Sequence, residues 1–302
     1  MVVVHHRTVS VDGFDVFYRE AGAPDAPSLV LLHGYPTSSH MFRHLIPALA
    51  ERYHVVAPDH IGFGRSSAPS VDEFDYTFAA LAEVTGRFLS VIGVERYAIY
   101  VQDYGAPIGW RLALADPAAV TGVISQNGNA YEDGFVPGFW DPIWADAAER
   151  TPQTREALRP ALGREAVEWQ YTHGVPDPTS VDPDAWEHDL ALLAREGQDD
   201  VQLALFRDYA SNRDLYPAVH DWLRRSGVPV LAVWGRNDEI FHADGARAFA
   251  RDAHEARVEL IDGGHFLLES HLDEVIAAIT SWSDAEGSAA GDRSRTADTI
   301  VG

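Results

Sequence analysis

"YVQDYGAPIGW", residues 100–110, decides the fold. The apolar run 98–101 reads as a strand, and from residue 105 apolar positions recur at helical spacing. Asp103 stands on the tight turn between them. A strand turning sharply into a helix is one unit of an alternating architecture, and the rest of the chain repeats it.

Short apolar runs that suit strands buried on both faces occur at "SLVLLHG" (28–34) and "YHVVAPD" (53–59), and "VTGVISQN" (120–127), "VPVLAVWG" (228–235) and "RVELIDG" (257–263) read as further strands. Helical patterns at 40–52, 76–93, 105–115, 243–253 and 268–282 alternate with them. "TVSVDGFDVFYREAG" (8–22) alternates like a strand and breaks at Asp12-Gly13, a hairpin signal. The expectation is an α/β fold with a mostly parallel sheet flanked by helices. Between 129 and 217 the rhythm changes. Buried-strand runs stop, and Trp and Pro accumulate (Trp140, Trp144, Trp169, Trp186; Pro152, Pro176, Pro178, Pro183). This stretch reads as an inserted helical cap over a core made of 1–128 and 218–283. Residues 284–302 are small and polar and are expected to be a disordered tail.

Composition narrows the function. The chain has 302 residues, no cysteine and a net charge of −23. A phosphate backbone needs a basic face, so no nucleic-acid partner is expected. No apolar run reaches the ~18 residues of a membrane span, and the N-terminus lacks a signal-peptide pattern. Absence of cysteine excludes disulfides and thiolate metal sites and suits a reducing, cytoplasmic setting. His40 and His44 share the i, i+4 spacing of a metal pair, but no third ligand accompanies them, so they read as an ordinary helix face. The sequence leaves the oligomeric state open, a homodimer included.

Two more loops carry chemistry. "WGRNDEIF" follows one strand and offers Asp238; "DGGHFLLES" follows the next and offers His265. With Asp103 they give the chain order nucleophile, acid, histidine, each at the C-terminal end of a predicted strand, where open α/β sheets place their ligands. These motifs, with "HGYP" (33–36) and "DHIGFGRSS" (59–67), resemble those of α/β-hydrolases with an aspartate nucleophile, the epoxide hydrolases and haloalkane dehalogenases, over about residues 8–282. The resemblance implies that Asp103 is the nucleophile, His265 the base and Asp238 its orienting acid. Backbone N–H groups of Tyr35 and Tyr104 are then the oxyanion donors. No cofactor or metal is implied, and the partner is a small apolar electrophilic substrate.

An aspartate suits that chemistry. An epoxide or alkyl halide presents an sp³ carbon, which an ionised carboxylate attacks in line without a base. The resulting ester of Asp103 needs His265 to activate water. The two families differ in what receives the leaving atom: tyrosine hydroxyls of the cap for an epoxide oxygen, N–H donors for a halide. Here the residue after the nucleophile is Tyr104, where dehalogenases carry Trp, and the residue after "HG" is Tyr35, where many carry Asn. "VQDYG" itself is nearer to some dehalogenase elbows. The order of expectation is therefore epoxide hydrolase first, haloalkane dehalogenase second and a non-catalytic ligand-binding member of the fold third. By the same resemblance Tyr209 is one phenol donor. Tyr171 is taken as its partner, with Tyr131 and Tyr216 as alternatives, and Trp144 and Trp186 are expected on the cavity wall.

Overall fold

The computed structural model describes the backbone of residues 2–299 and the side chains of 2–285. The tail expected over 284–302 lies, from 286, outside the residues whose side chains are described. Eight strands form one sheet: β1 (His5–Val11), β2 (Phe14–Ala21), β3 (Ser28–Leu32), β4 (His54–Pro58), β5 (Tyr97–Gln102), β6 (Val120–Gln126), β7 (Val230–Gly235) and β8 (Ala256–Ile261). Their order is β1-β2-β4-β3-β5-β6-β7-β8, and only β2 runs against the others. The turn between β1 and β2 places both Asp12 and Gly13 at positive φ, the conformation a tight hairpin needs. β4, β5 and β7 are buried along their whole length. That is why they read as unbroken apolar runs, without the alternation of a one-sided sheet.

Among the described residues twelve α-helices surround the sheet: α1 (Leu45–Leu49), α2 (Phe78–Val91), α3 (Gly105–Ala115), α4 (Asp141–Glu149), α5 (Pro152–Glu156), α6 (Arg164–Thr172), α7 (Pro183–Leu193), α8 (Gln198–Asp208), α9 (Tyr216–Ser226), α10 (Ala243–Ala248), α11 (Leu267–Ser270) and α12 (Leu272–Thr299). The single helix expected over 40–52 is broken into a 3₁₀ turn, Ser39–Phe42, and the short α1. Pro47 accounts for the break, because its ring and missing N–H are tolerated only in the first turn of a helix. No helix among the described residues is long and apolar enough to cross a membrane.

Helices α4 to α9 lie between β6 and β7 as an inserted helical cap, and the boundary expected at 217/218 falls inside α9. The cap is held from within by the fully buried Asp146 of α4, which accepts from Arg207 of α8 at 2.8 and 3.0 Å and from Thr154. It is tied to the core where Phe78 N–H donates to Asp208 and Arg111 donates to Asn212. The sheet's C-terminal edge is thereby closed over.

Candidate active site

Asp103 ends the β5 unit at φ 47°. This left-handed conformation costs a non-glycine residue about 1–3 kcal/mol, and aspartate tolerates it better than most. It is possible here because the neighbours are stripped of side chains. A Cβ on Gly105 would stand 2.0 Å from the carbonyl oxygen of Leu32, and one on Gly34 would stand 2.3 Å from the Asp103 Cβ. The two glycines let α3 and the "HGYP" loop close directly onto the turn, and the positive end of α3 faces the carboxylate.

Asp103 is 5% exposed. Its Oδ1 accepts from the backbone N–H of Tyr35 at 2.7 Å, and the N–H of Tyr104 also favours its charge. Burial nevertheless raises its pKa above the ordinary aspartate value; His265 and the two N–H groups pull the other way. His265 Nδ1 lies 2.8 Å from Asp238 Oδ2, and its Nε2 lies 3.9 Å from Asp103 Oδ2. Burial alone would lower the His265 pKa, but Asp238 and then Asp103 outweigh it and the net shift is upward. Asp238 is held rigidly: Oδ1 accepts from the N–H of Ile240 and Phe241, and Oδ2 also accepts from Asn127 Nδ2 at 2.6 Å. With Nδ1–H donated to Asp238, the Nε2 lone pair of His265 accepts from Gln102 Nε2 at 2.9 Å. Asn127 and Gln102 were not anticipated from sequence, although Gln102 is inside the quoted stretch. An uncharged amide there carries no motif signal.

The sheet thus brings Asp103, Asp238, His265, Tyr35 and Tyr104 to one place. The cap does less of what was expected. A cavity of about 130 Å³ opens over Asp103, lined by Tyr35, Tyr104, Trp140, Ile143, Leu158 and Phe206, among others. Tyr171 does not line it. Its hydroxyl donates to the buried Asp189, its ring stacks on Phe266 at 3.9 Å, and Trp186 lies beside it in the same separate apolar cluster. Residue 170, not 171, turns inward, as one residue is ~100° on a helix. Trp144 stands behind Trp140, stacked at 5.3 Å. Tyr209 is one layer back, its ring 5.9 Å from Tyr104 and 4.6 Å from Trp140. Of the phenols weighed as its partner, Tyr216 accepts from Asn129 Nδ2 at 3.4 Å and Tyr131 stacks on His220, both away from the cavity lining.

A carboxylate on a left-handed elbow, two N–H donors and a carboxylate-bound imidazole define an α/β-hydrolase. The model of the alpha/beta hydrolase fold family matches residues 27–272, so the chain belongs to that family. It is 45% identical to the uncharacterized hydrolase YNR064C of Saccharomyces cerevisiae, over 91% of this chain and 96% of that one. It is 31% identical to a haloalkane dehalogenase of Mycobacterium marinum, over 88% and 87% of the two chains. The crystal structure of haloalkane dehalogenase DbeA from Bradyrhizobium elkani superposes with a TM-score of 0.79 at 25% identity, covering 96% of this chain and 100% of that one. The protein is an enzyme of the haloalkane dehalogenase and epoxide hydrolase clade, which removes the non-catalytic reading. The names of its relatives favour the dehalogenase over the epoxide hydrolase placed first from sequence.

Proposed function

We propose that the enzyme hydrolyses a small apolar electrophile through an alkyl ester of Asp103. The Tyr35 N–H occupies Oδ1, which leaves Oδ2 to attack the carbon. That attack makes one C–O bond and breaks the bond to the leaving atom. Esterification then removes the Asp103 charge, one of the influences raising the His265 pKa, so the imidazole is left readier to stay neutral as a base. His265 Nε2 takes a proton from water as the Gln102 amide yields its place. The hydroxide adds to the Asp103 carboxyl carbon, and Tyr35 and Tyr104 N–H groups stabilise the oxyanion. Collapse releases the alcohol and restores the carboxylate.

For the leaving atom, the observation that carries most weight is a pair of buried, unpartnered hydroxyls. Tyr104 and Tyr209 both have O–H groups without hydrogen-bond partners, and the Asp103 charge helps raise the pKa of each, after burial. The lining tryptophan, Trp140, has its indole N–H engaged by the Ile240 carbonyl at 2.8 Å. Tyr104 lines the cavity and Tyr209 backs it, and phenols can pass a proton to an alkoxide, which supports an epoxide, opened to a diol. The second reading, release of halide from a haloalkane, is the one the named relatives favour, and phenol O–H groups also donate to halide ions. A panel of small epoxides and bromoalkanes separates them. Diol formation should exceed bromide release, and Tyr209→Phe should lower kcat on epoxides ~10–10²-fold with a smaller change in KM. Bromide release exceeding diol formation, indifferent to Tyr209→Phe, would make the enzyme a dehalogenase.

A further inference from the structure

One polar side chain on the cavity wall has no task in this chemistry. Gln170, on α6 of the cap, is 7% exposed and lines the cavity together with Tyr35, Ile143, Leu158 and Phe206. Among the described residues nothing hydrogen-bonds to its amide. A glutamine amide carries two N–H donors and a carbonyl acceptor; those of Gln170 are not among the side-chain atoms closed off from solvent, so whatever fills the cavity can pair with them. Packing does not require an amide here. Leucine or methionine would fill the same wall, as the neighbouring Leu158 and Ile143 do.

We infer that Gln170 selects substrates carrying an oxygen acceptor, an ether or a carbonyl, a short way along the chain from the carbon that Asp103 attacks. The amide N–H group donates to that oxygen when the substrate is seated. An alkyl substrate of the same shape leaves the amide buried and unpaired, having displaced any solvent from it. A site built around a hydrogen bond discriminates against the analogue lacking it far better than an apolar pocket discriminates by size. The inference rests on the alkyl-ester chemistry proposed above and specifies its substrate class.

The test uses two isosteric pairs: epoxyhexane against ethyl glycidyl ether, and bromohexane against its analogue with one methylene replaced by oxygen. Each kcat/KM is normalised to the compound's uncatalysed reaction with acetate, which removes inductive activation by the oxygen. The wild-type enzyme should prefer the ether ~10–10²-fold in whichever pair it turns over. Gln170→Met should bring that ratio to about one, mainly by lowering the rate on the ether; Gln170→Asn, with the amide drawn back by one methylene, should fall between. The ratio on one preparation cancels the active fraction, so partial misfolding of a variant does not blur it. A wild-type ratio near one, or a ratio unchanged in Gln170→Met, overturns the inference while the alkyl-ester reading stands. Failure of His265→Gln to form an adduct with any of these compounds, where wild type turns them over, defeats the chemistry and this inference with it.

Discussion

The loops at the strand ends and the helices of the cap face the same cavity, yet they are specified differently. Asp103, Asp238 and His265 follow β5, β7 and β8. Each strand is fixed in register by its neighbours, so a residue just past its end has little freedom in where it points. The cap wall has no such frame. Tyr171 and Gln170 are adjacent, and helix packing alone decides that one meets Asp189 and the other the cavity. The positions of the proposed catalytic residues are therefore set by the sheet, and the far wall of the pocket by the cap.

The largest predicted effects fall on the sheet side. Under the proposed mechanism Asp103→Ala should abolish turnover, because it removes the proposed nucleophile. His265→Gln should stop turnover as completely but leave alkylation intact, so intact-mass spectrometry after substrate addition should show a stable adduct. Absence of an adduct with a substrate that wild type turns over would defeat the alkyl-ester assignment.

A smaller effect is expected from pH. In the proposed second step His265 acts as a base only when neutral; Asp238 still raises its pKa once Asp103 is esterified, so this form is lost as pH falls through the imidazole range. Asp103 acts in the proposed first step as a carboxylate, whose ordinary range lies below that of imidazole, although burial narrows the gap. Mild acidification of the wild-type enzyme should thus suppress ester hydrolysis before alkylation. Rapid-quench mass spectrometry should find the Asp103 adduct accumulating in steady state at mildly acidic pH and absent near neutrality. Equal suppression of both steps would contradict the division of labour.

The smallest effect on catalysis belongs to the outer cap. Tyr171→Phe removes the donor to Asp189, whose pKa burial raises to about 8. An orphaned buried acceptor costs ~1–3 kcal/mol, so Tm should fall by a few degrees. The kcat should stay within about twofold of wild type, because Tyr171 packs on Phe266 outside the cavity lining. A loss of kcat comparable to that expected for Tyr209→Phe would put Tyr171 back among the residues that act on the leaving atom.

The same contrast explains what was legible in the sequence. The sheet could be read because burial on both faces leaves unbroken apolar runs, and the elbow because Gly34 and Gly105 are required by contacts of a few ångströms. Gln102 and Asn127, which hold His265 and Asp238, escaped notice because neutral amides have no spacing rule. In the cap, Trp144 and Trp186 read as wall residues because they are large aromatics, but most aromatics pack helices together, and of the cap tryptophans Trp140 reaches the cavity lining. Deciding between Tyr171 and Gln170 required the rotation of α6 about its axis, which tertiary packing sets.

The central claim, that Asp103 attacks carbon and water attacks Asp103, is tested most directly by one turnover in heavy-oxygen water with enzyme in excess over substrate. The oxygen delivered to product is then the old Asp103 Oδ2, and the water oxygen stays in the carboxylate. Peptide mapping should show the label on the fragment containing "VQDYGAP", with unlabelled product. Label appearing directly in the product, with Asp103 unlabelled, would show that water attacks the substrate carbon and would contradict the account.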